Sequence, residues 1–154
     1  TVRTPVKRIG GRLLLIDPDR RVLLIHEQNQ FADRYWLTPG GGVEPGEDPR
    51  DAAVREASEE VGYDALLVAD CTAVLVTRRT WTGFSGRLID QTDHFYVSRV
   101  PATFEPVPRA LTEPERLGLL GHRWWSVGEL RASEETFLPP DLAEVIKKVI
   151  AAPP

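Results

Sequence analysis

Three consecutive glycines, Gly40-Gly41-Gly42, stand shortly before a segment that has both ends of a helix written into it. Asp48 is a good N-cap, Pro49 suits the first helical position, and Gly62 suits the residue after the last turn. The spacing predicts a helix over about Pro49–Val61. At about 100° per residue, Glu56, Glu59 and Glu60 share one arc with Arg55, while Val54, Ala57 and Val61 fall nearly opposite. One face is therefore expected to pack on a core and the other to carry crowded negative charge.

That crowding is unfavourable by local rules. Glu56 and Glu60 are like charges at i,i+4, and Glu59 and Glu60 lie in the last turns, where the macrodipole disfavours anions. Local rules are often broken at functional sites. Carboxylate oxygens suit hard cations such as Mg2+ and Mn2+, and Arg55 can reach Glu59 one turn on. The glycines permit close backbone approach to a ligand, and successive N–H groups can form an anion nest. Separately, a Glu-rich helix face is ordinarily a solvated surface and a glycine run an ordinary turn. Together they form a more specific pattern, and it points to a metal and phosphate site.

Charge arithmetic supports a local reading. The net charge of −4 comes from 23 acids and 19 Lys and Arg. Residues 44–60 hold seven acids against Arg50 and Arg55, which leaves 16 acids and 17 bases elsewhere. A broad basic surface for extended nucleic acid is not expected. The 154 residues suit one domain, 1–154. A lone cysteine, Cys71, cannot form an intrachain disulfide and suggests a reducing, cytoplasmic compartment. No apolar run approaches the roughly 20 residues that span a bilayer, so no membrane partner is expected. The absence of methionine suggests that the start was processed or trimmed.

Along the chain, Ile9–Ile16 and Arg21–Glu27 read as a hairpin around Asp17-Pro18-Asp19-Arg20. Tyr35–Thr38 is a short strand candidate. Leu66–Thr80 and Arg87–Val100 are longer ones, separated by Thr82-Gly83-Phe84-Ser85-Gly86. Pro101–Pro114 reads as a surface loop and His122–Ser126 as a last strand. Asp141–Ile150 reads as a terminal helix with Leu142, Val145, Ile146, Val149 and Ile150 on one stripe. The pattern suggests a mixed sheet between helices. Cys71 and one of Trp124 and Trp125 are expected in the core, and His26, His94 and His122 lack ligand spacing.

Gly41, Glu47 and the run Arg55-Glu56-Ala57-Ser58-Glu59-Glu60-Val61-Gly62-Tyr63 together resemble the Nudix box of MutT-like pyrophosphohydrolases. Ala57 and Tyr63 stand where the family usually has a larger aliphatic residue. The resemblance implies an α/β fold, an α/β/α sandwich around a mixed sheet. It also implies hydrolysis of a nucleoside diphosphate linked to another moiety, with Mg2+ or Mn2+ as cofactor. Glu56, Glu59 and Glu60 then look like the metal set, with Glu47 a further carboxylate and Gly40 a carbonyl donor. Glu56 is the leading ligand or base, and Arg55 orients the glutamates. A further carboxylate often comes from a downstream loop. Asp93, Glu105, Glu113 and Glu115 are candidates, with Glu113 and Glu115 favoured unless Thr112-Glu113-Pro114-Glu115 simply starts a helix. Arg78, Arg79 and Trp81 could meet phosphates and a base, or could be a charged hairpin end with a core Trp. Signatures of several subfamilies are missing, which favours nucleoside triphosphates, oxidised ones included, and dinucleoside polyphosphates. Relatives are often homodimers. The competing readings are a nucleotide-sensing module without hydrolysis and a structural Ca2+ site.

Overall fold

In the computed structural model, which describes residues 4–65, 70–83 and 85–152, the apolar run ahead of Asp17 forms strand β1 (Val6–Ile16). Residues 66–69 of the expected strand and Phe84 of the expected turn lie outside the described residues. Strand β2 (Val22–Gln28) follows a turn in which Arg21 N donates to Asp17 Oδ1 at 2.7 Å. The two strands do not continue as the simple hairpin expected. Their register places only Ile16 opposite Val22, and beyond that pair they diverge.

Other strands take over the free edges. Strand β6 (Leu88–Arg99) runs parallel to β1 along its whole length. On the other edge of β1 lies β4 (Gly40–Gly42), antiparallel to Gly10–Arg12. β2 pairs with β3 (Arg34–Leu37) and with β7 (Leu119–Trp125). Thr38 and Pro39 therefore carry the chain across the fork between β1 and β2, where Leu13 N donates to Pro39 O at 2.9 Å. β5 (Thr72–Thr82) is antiparallel to β6, and the two-residue β8 (Phe137–Leu138) pairs with β3.

Both faces of this eight-stranded mixed sheet are covered. Consecutive residues of β1 alternate between two cores. Leu14 and Ile16 join Val22, Leu24, Trp36 and Trp125 under helices α3 (Val127–Ala132) and α4 (Leu142–Ala151). Leu13 and Leu15 join Leu23, Ile25 and Tyr96 under Ala53, Ala57 and Val61 of helix α1 (Pro49–Val61). This is the expected α/β/α arrangement, and the α4 stripe packs as the periodicity implied. Cys71 is buried in the α1-side core. Trp125 is fully buried, and Trp124 is half-buried with its indole N–H donated to Phe104 O at 3.0 Å.

Helix α1 begins and ends where its caps predict. Asp48 accepts from Arg50 N, and Gly62 adopts φ 74°, the left-handed conformation that closes the last turn. The expected 101–114 loop is shorter. It ends at Thr112, which caps a short helix α2 (Glu113–Gly118). No helix among the described residues is long and apolar enough to cross a membrane.

Candidate active site

The last turns of α1 lie against the fork between β1 and β2. The acidic arc is consequently not a uniformly solvated face. Glu60 is only 4% exposed. Its Oε1 is buried without a hydrogen-bond partner among the described residues. Burial pushes its carboxyl well above the ordinary carboxylate range, and the carboxylate of Glu56 beside it adds to the effect. One carboxylate oxygen from each of Glu56, Glu60 and Glu115 lies within 4.8 Å of the others. Glu115 arrives from α2, so of the downstream candidates it is the one that joins the helix. Glu113 is exposed and 3.8 Å from Arg116. Asp93 is engaged elsewhere.

Arg55 braces the arc. Its Nε and Nη2 each donate to the Glu47 carboxylate at 3.0 Å. Its Nη1 donates to Glu56 at 3.0 Å and to Glu59 at 3.4 Å, and Nη2 also reaches Gly42 O at 3.1 Å. Hydrogen bonding to Glu47 is the main reason that the guanidinium holds its proton more tightly than usual, and the same bond lowers the Glu47 carboxyl. Glu47 therefore grips Arg55 rather than joining the three-carboxylate cluster. Glu59 sits at the rim, its side chain 37% exposed. Burial and the Glu56 charge raise its carboxyl.

Glycines let the backbone come this close. A Cβ on Gly41 would lie 2.6 Å from the carboxyl carbon of Glu56, so the carboxylate rests directly on bare backbone. Gly40 precedes it in β4, opposite Arg12. An orphaned buried oxygen, two further carboxylates beside it and a bare backbone shelf are what a divalent cation needs.

A cationic floor lies beyond β4. Arg12, nearly buried, donates to Thr38 O at 2.8 Å and to Asp93 at 3.3 Å. Arg79 is 3.8 Å from the same carboxylate. Arg79 and Arg8 both lie over the Trp81 ring, whose N–H donates to Gln91 at 3.2 Å. Arg78 does not belong to this group. It alternates to the other side of β5 and forms a two-pronged pair with Asp90. Glu27, opposite Tyr35 in the β2–β3 ladder, is half-buried near Arg12 and Arg79, and its desolvation there raises its carboxyl. The sequence reading missed Arg8, Arg12 and Glu27. The available signal was a charged residue beside or within an apolar strand run.

A family model of the NUDIX domain matches residues 7–151, nearly the whole described chain. The chain belongs to the Nudix family. Among curated relatives, a Bacillus subtilis protein named "Putative 8-oxo-dGTP diphosphatase" is 38% identical over 60 residues, 39% of this chain and 38% of that protein. Mouse diphosphoinositol polyphosphate phosphohydrolase 3-alpha is 50% identical over 61 residues, 40% of this chain and 36% of that protein. The aligned parts thus span little more than a third of these relatives. Among solved structures, the MutT protein of Methanosarcina mazei superposes with a TM-score of 0.70 at 15% identity, covering 98% of this chain and all of that one. At that identity the likeness establishes the Nudix fold.

Proposed function

We propose that residues 1–154 act as one Nudix domain. It hydrolyses the pyrophosphate linkage of a nucleoside diphosphate joined to another moiety, with Mg2+ or Mn2+ as cofactor. The observation that carries this reading is the meeting of Glu56, Glu60 and Glu115 around a buried oxygen that has no hydrogen-bond partner among the described residues. Nucleoside triphosphates, oxidised ones included, and dinucleoside polyphosphates are the first substrates to try. The relative named "Putative 8-oxo-dGTP diphosphatase" supports the first choice. The single buried Cys71 fits a cytoplasmic setting.

Glu56, Glu60 and Glu115 would hold the cation, with the Gly40 carbonyl a further oxygen donor from β4. When bound, a divalent ion neutralises phosphate oxygens and acidifies a water. The chain supplies the rest. Glu47 fixes Arg55, and Arg55 in turn fixes the rotamers of Glu56 and Glu59. Glu59 stands at the rim of the cluster, held by Arg55, and would take the proton of the attacking water. Arg79, beside Trp81 and Arg8, faces the substrate's phosphates on the sheet.

The test is a panel of diphosphate compounds incubated with the purified chain and Mg2+ or Mn2+. Cleavage of at least one nucleotide, abolished by EDTA, supports the proposal. Tight binding with no product from any compound favours the sensor.

A further inference from the structure

The three-carboxylate cluster is assembled from two elements some fifty residues apart in sequence, and the segment between Val107 and Thr112 ties them together. The last carbonyls of α1 have no partners within the helix. Two of them, Glu59 O and Val61 O, are met from this segment. Val107 N donates to Val61 O at 3.1 Å, and Arg109 N and Ala110 N both donate to Glu59 O, at 2.7 and 3.0 Å. The Arg109 guanidinium adds Gly62 O at 3.0 Å, Ser58 Oγ at 3.1 Å and both oxygens of Asp64 at 2.8 and 2.9 Å. Helix α2 starts three residues after Ala110. At its start Thr112 and Glu115 form a reciprocal pair. Glu115 N donates to Thr112 Oγ1 at 3.3 Å, and Thr112 N donates to Glu115 Oε1 at 2.8 Å. The Glu115 carboxylate that contributes an oxygen to the cluster is thus already oriented by a main-chain N–H. At the far end of α2, Gly118 lies so close to Gln28 O that a Cβ would be 2.7 Å from it, which pins the helix to β2.

We propose that residues 107–112 are the positioning element of the third carboxylate. Arg109 locks the segment to the end of α1, and Thr112 sets the orientation of Glu115 toward Glu56 and Glu60. Both are positioning residues that act through Glu115. The inference rests on the metal-site reading above and concerns how that site is built. Groups that orient a metal ligand typically account for about 10–100-fold in affinity.

The experiment is a Mn2+ titration followed by electron paramagnetic resonance of the free ion, which needs no substrate. It compares the wild type with T112V, T112S, R109Q, E115Q and the doubles T112V/E115Q and R109Q/E115Q, with circular dichroism on each. T112V keeps the main-chain N–H on the Glu115 carboxylate but removes the Oγ1 that accepts from Glu115 N, loosening the capping turn that carries that N–H, and is expected to weaken Mn2+ binding about tenfold, with T112S restoring most of the loss. Neither T112V nor R109Q should weaken binding further once Glu115 is replaced. An unchanged affinity in both T112V and R109Q overturns the inference while leaving the metal site standing. So does an equal loss in the E115Q background, which marks a general structural role. Wild-type Mn2+ affinity in E115Q overturns the assignment of Glu115 itself, and the inference with it. Should T112V unfold, the surface variant R109Q carries the same comparison.

Discussion

Replacing Glu60 by Gln separates the metal role of this residue from its packing role. The side chain is 4% exposed and keeps nearly the same volume as Gln, so the metal-free variant should fold and melt close to wild type. What it loses is one charge at the centre of the cluster. A ligand that binds only the native state at one hundred times its Kd stabilises by about 2.7 kcal/mol. For a domain of this length each kcal/mol raises Tm by roughly 2–4 °C, so wild type should gain roughly 5–11 °C at such a Mn2+ concentration. E60Q should gain less than about a quarter of that. The assay is thermal unfolding followed by circular dichroism across a Mn2+ series, with Ca2+ and EDTA as controls. A full wild-type shift in E60Q would refute the placement of the cation beside this carboxylate.

Two glycines should respond in opposite ways. In G41A the added methyl meets only the end of the Glu56 side chain, whereas in G11A it would lie 1.9 Å from the Pro49 carbonyl oxygen. G41A should therefore stay folded with its hydrolysis lost, and G11A should fail to fold, as circular dichroism and activity together will show. R79A removes a guanidinium from the substrate side and should raise KM roughly ten- to a hundredfold with a smaller change in kcat. R78A, whose partner Asp90 lies on the other face, should match wild type in the same steady-state assay. For Asp93, burial alone would raise the carboxyl pKa, but Arg12 holds it below its ordinary 3.8. Its stabilisation is therefore present above that value and lost as pH falls through the lower folded one. D93N, which leaves Arg12 buried without its counter-charge, should cost roughly 3–5 kcal/mol at neutral pH and flatten the acid limb of the Tm–pH curve.

The parts of the fold that were legible in the sequence are those set by local chemistry. Asp48, Pro49 and Gly62 mark helix α1 to the residue, and the stripe of α4 is visible as periodicity. The fork was not legible. The Asp17–Arg21 turn reads as a hairpin because nothing local says that β1 prefers β6, more than seventy residues on, to β2. β4 is hidden for a related reason, since three glycines carry no strand propensity and pair only because bare backbone fits beside Gly10 and Gly11. Short elements such as α3 and β8 hold too few residues to show a period.

The site divides along the same line. The carboxylates of one helix arc are readable from spacing, and Arg55 with them. That Glu60 is buried while Glu59 stays at the rim depends on the fork. Arg8, Arg12 and Glu27 reach the site from β1 and β2 and carry no motif. Glu113 and Glu115 were indistinguishable in sequence, and in the structure it is Glu115, the capping-box partner of Thr112, that meets Glu56 and Glu60.

Glu56, Glu60 and Glu115 are proposed to hold the divalent cation on which hydrolysis of a diphosphate would depend, and the sharpest check is single-turnover cleavage of a nucleotide substrate in 18O-water with Mg2+, reading the label in both products by mass spectrometry. One 18O is expected in a phosphate product of wild type, with loss of that product by orders of magnitude in E56Q, E60Q and EDTA-treated protein. Labelled product formed at wild-type rate in E60Q, or in the presence of EDTA, would contradict it.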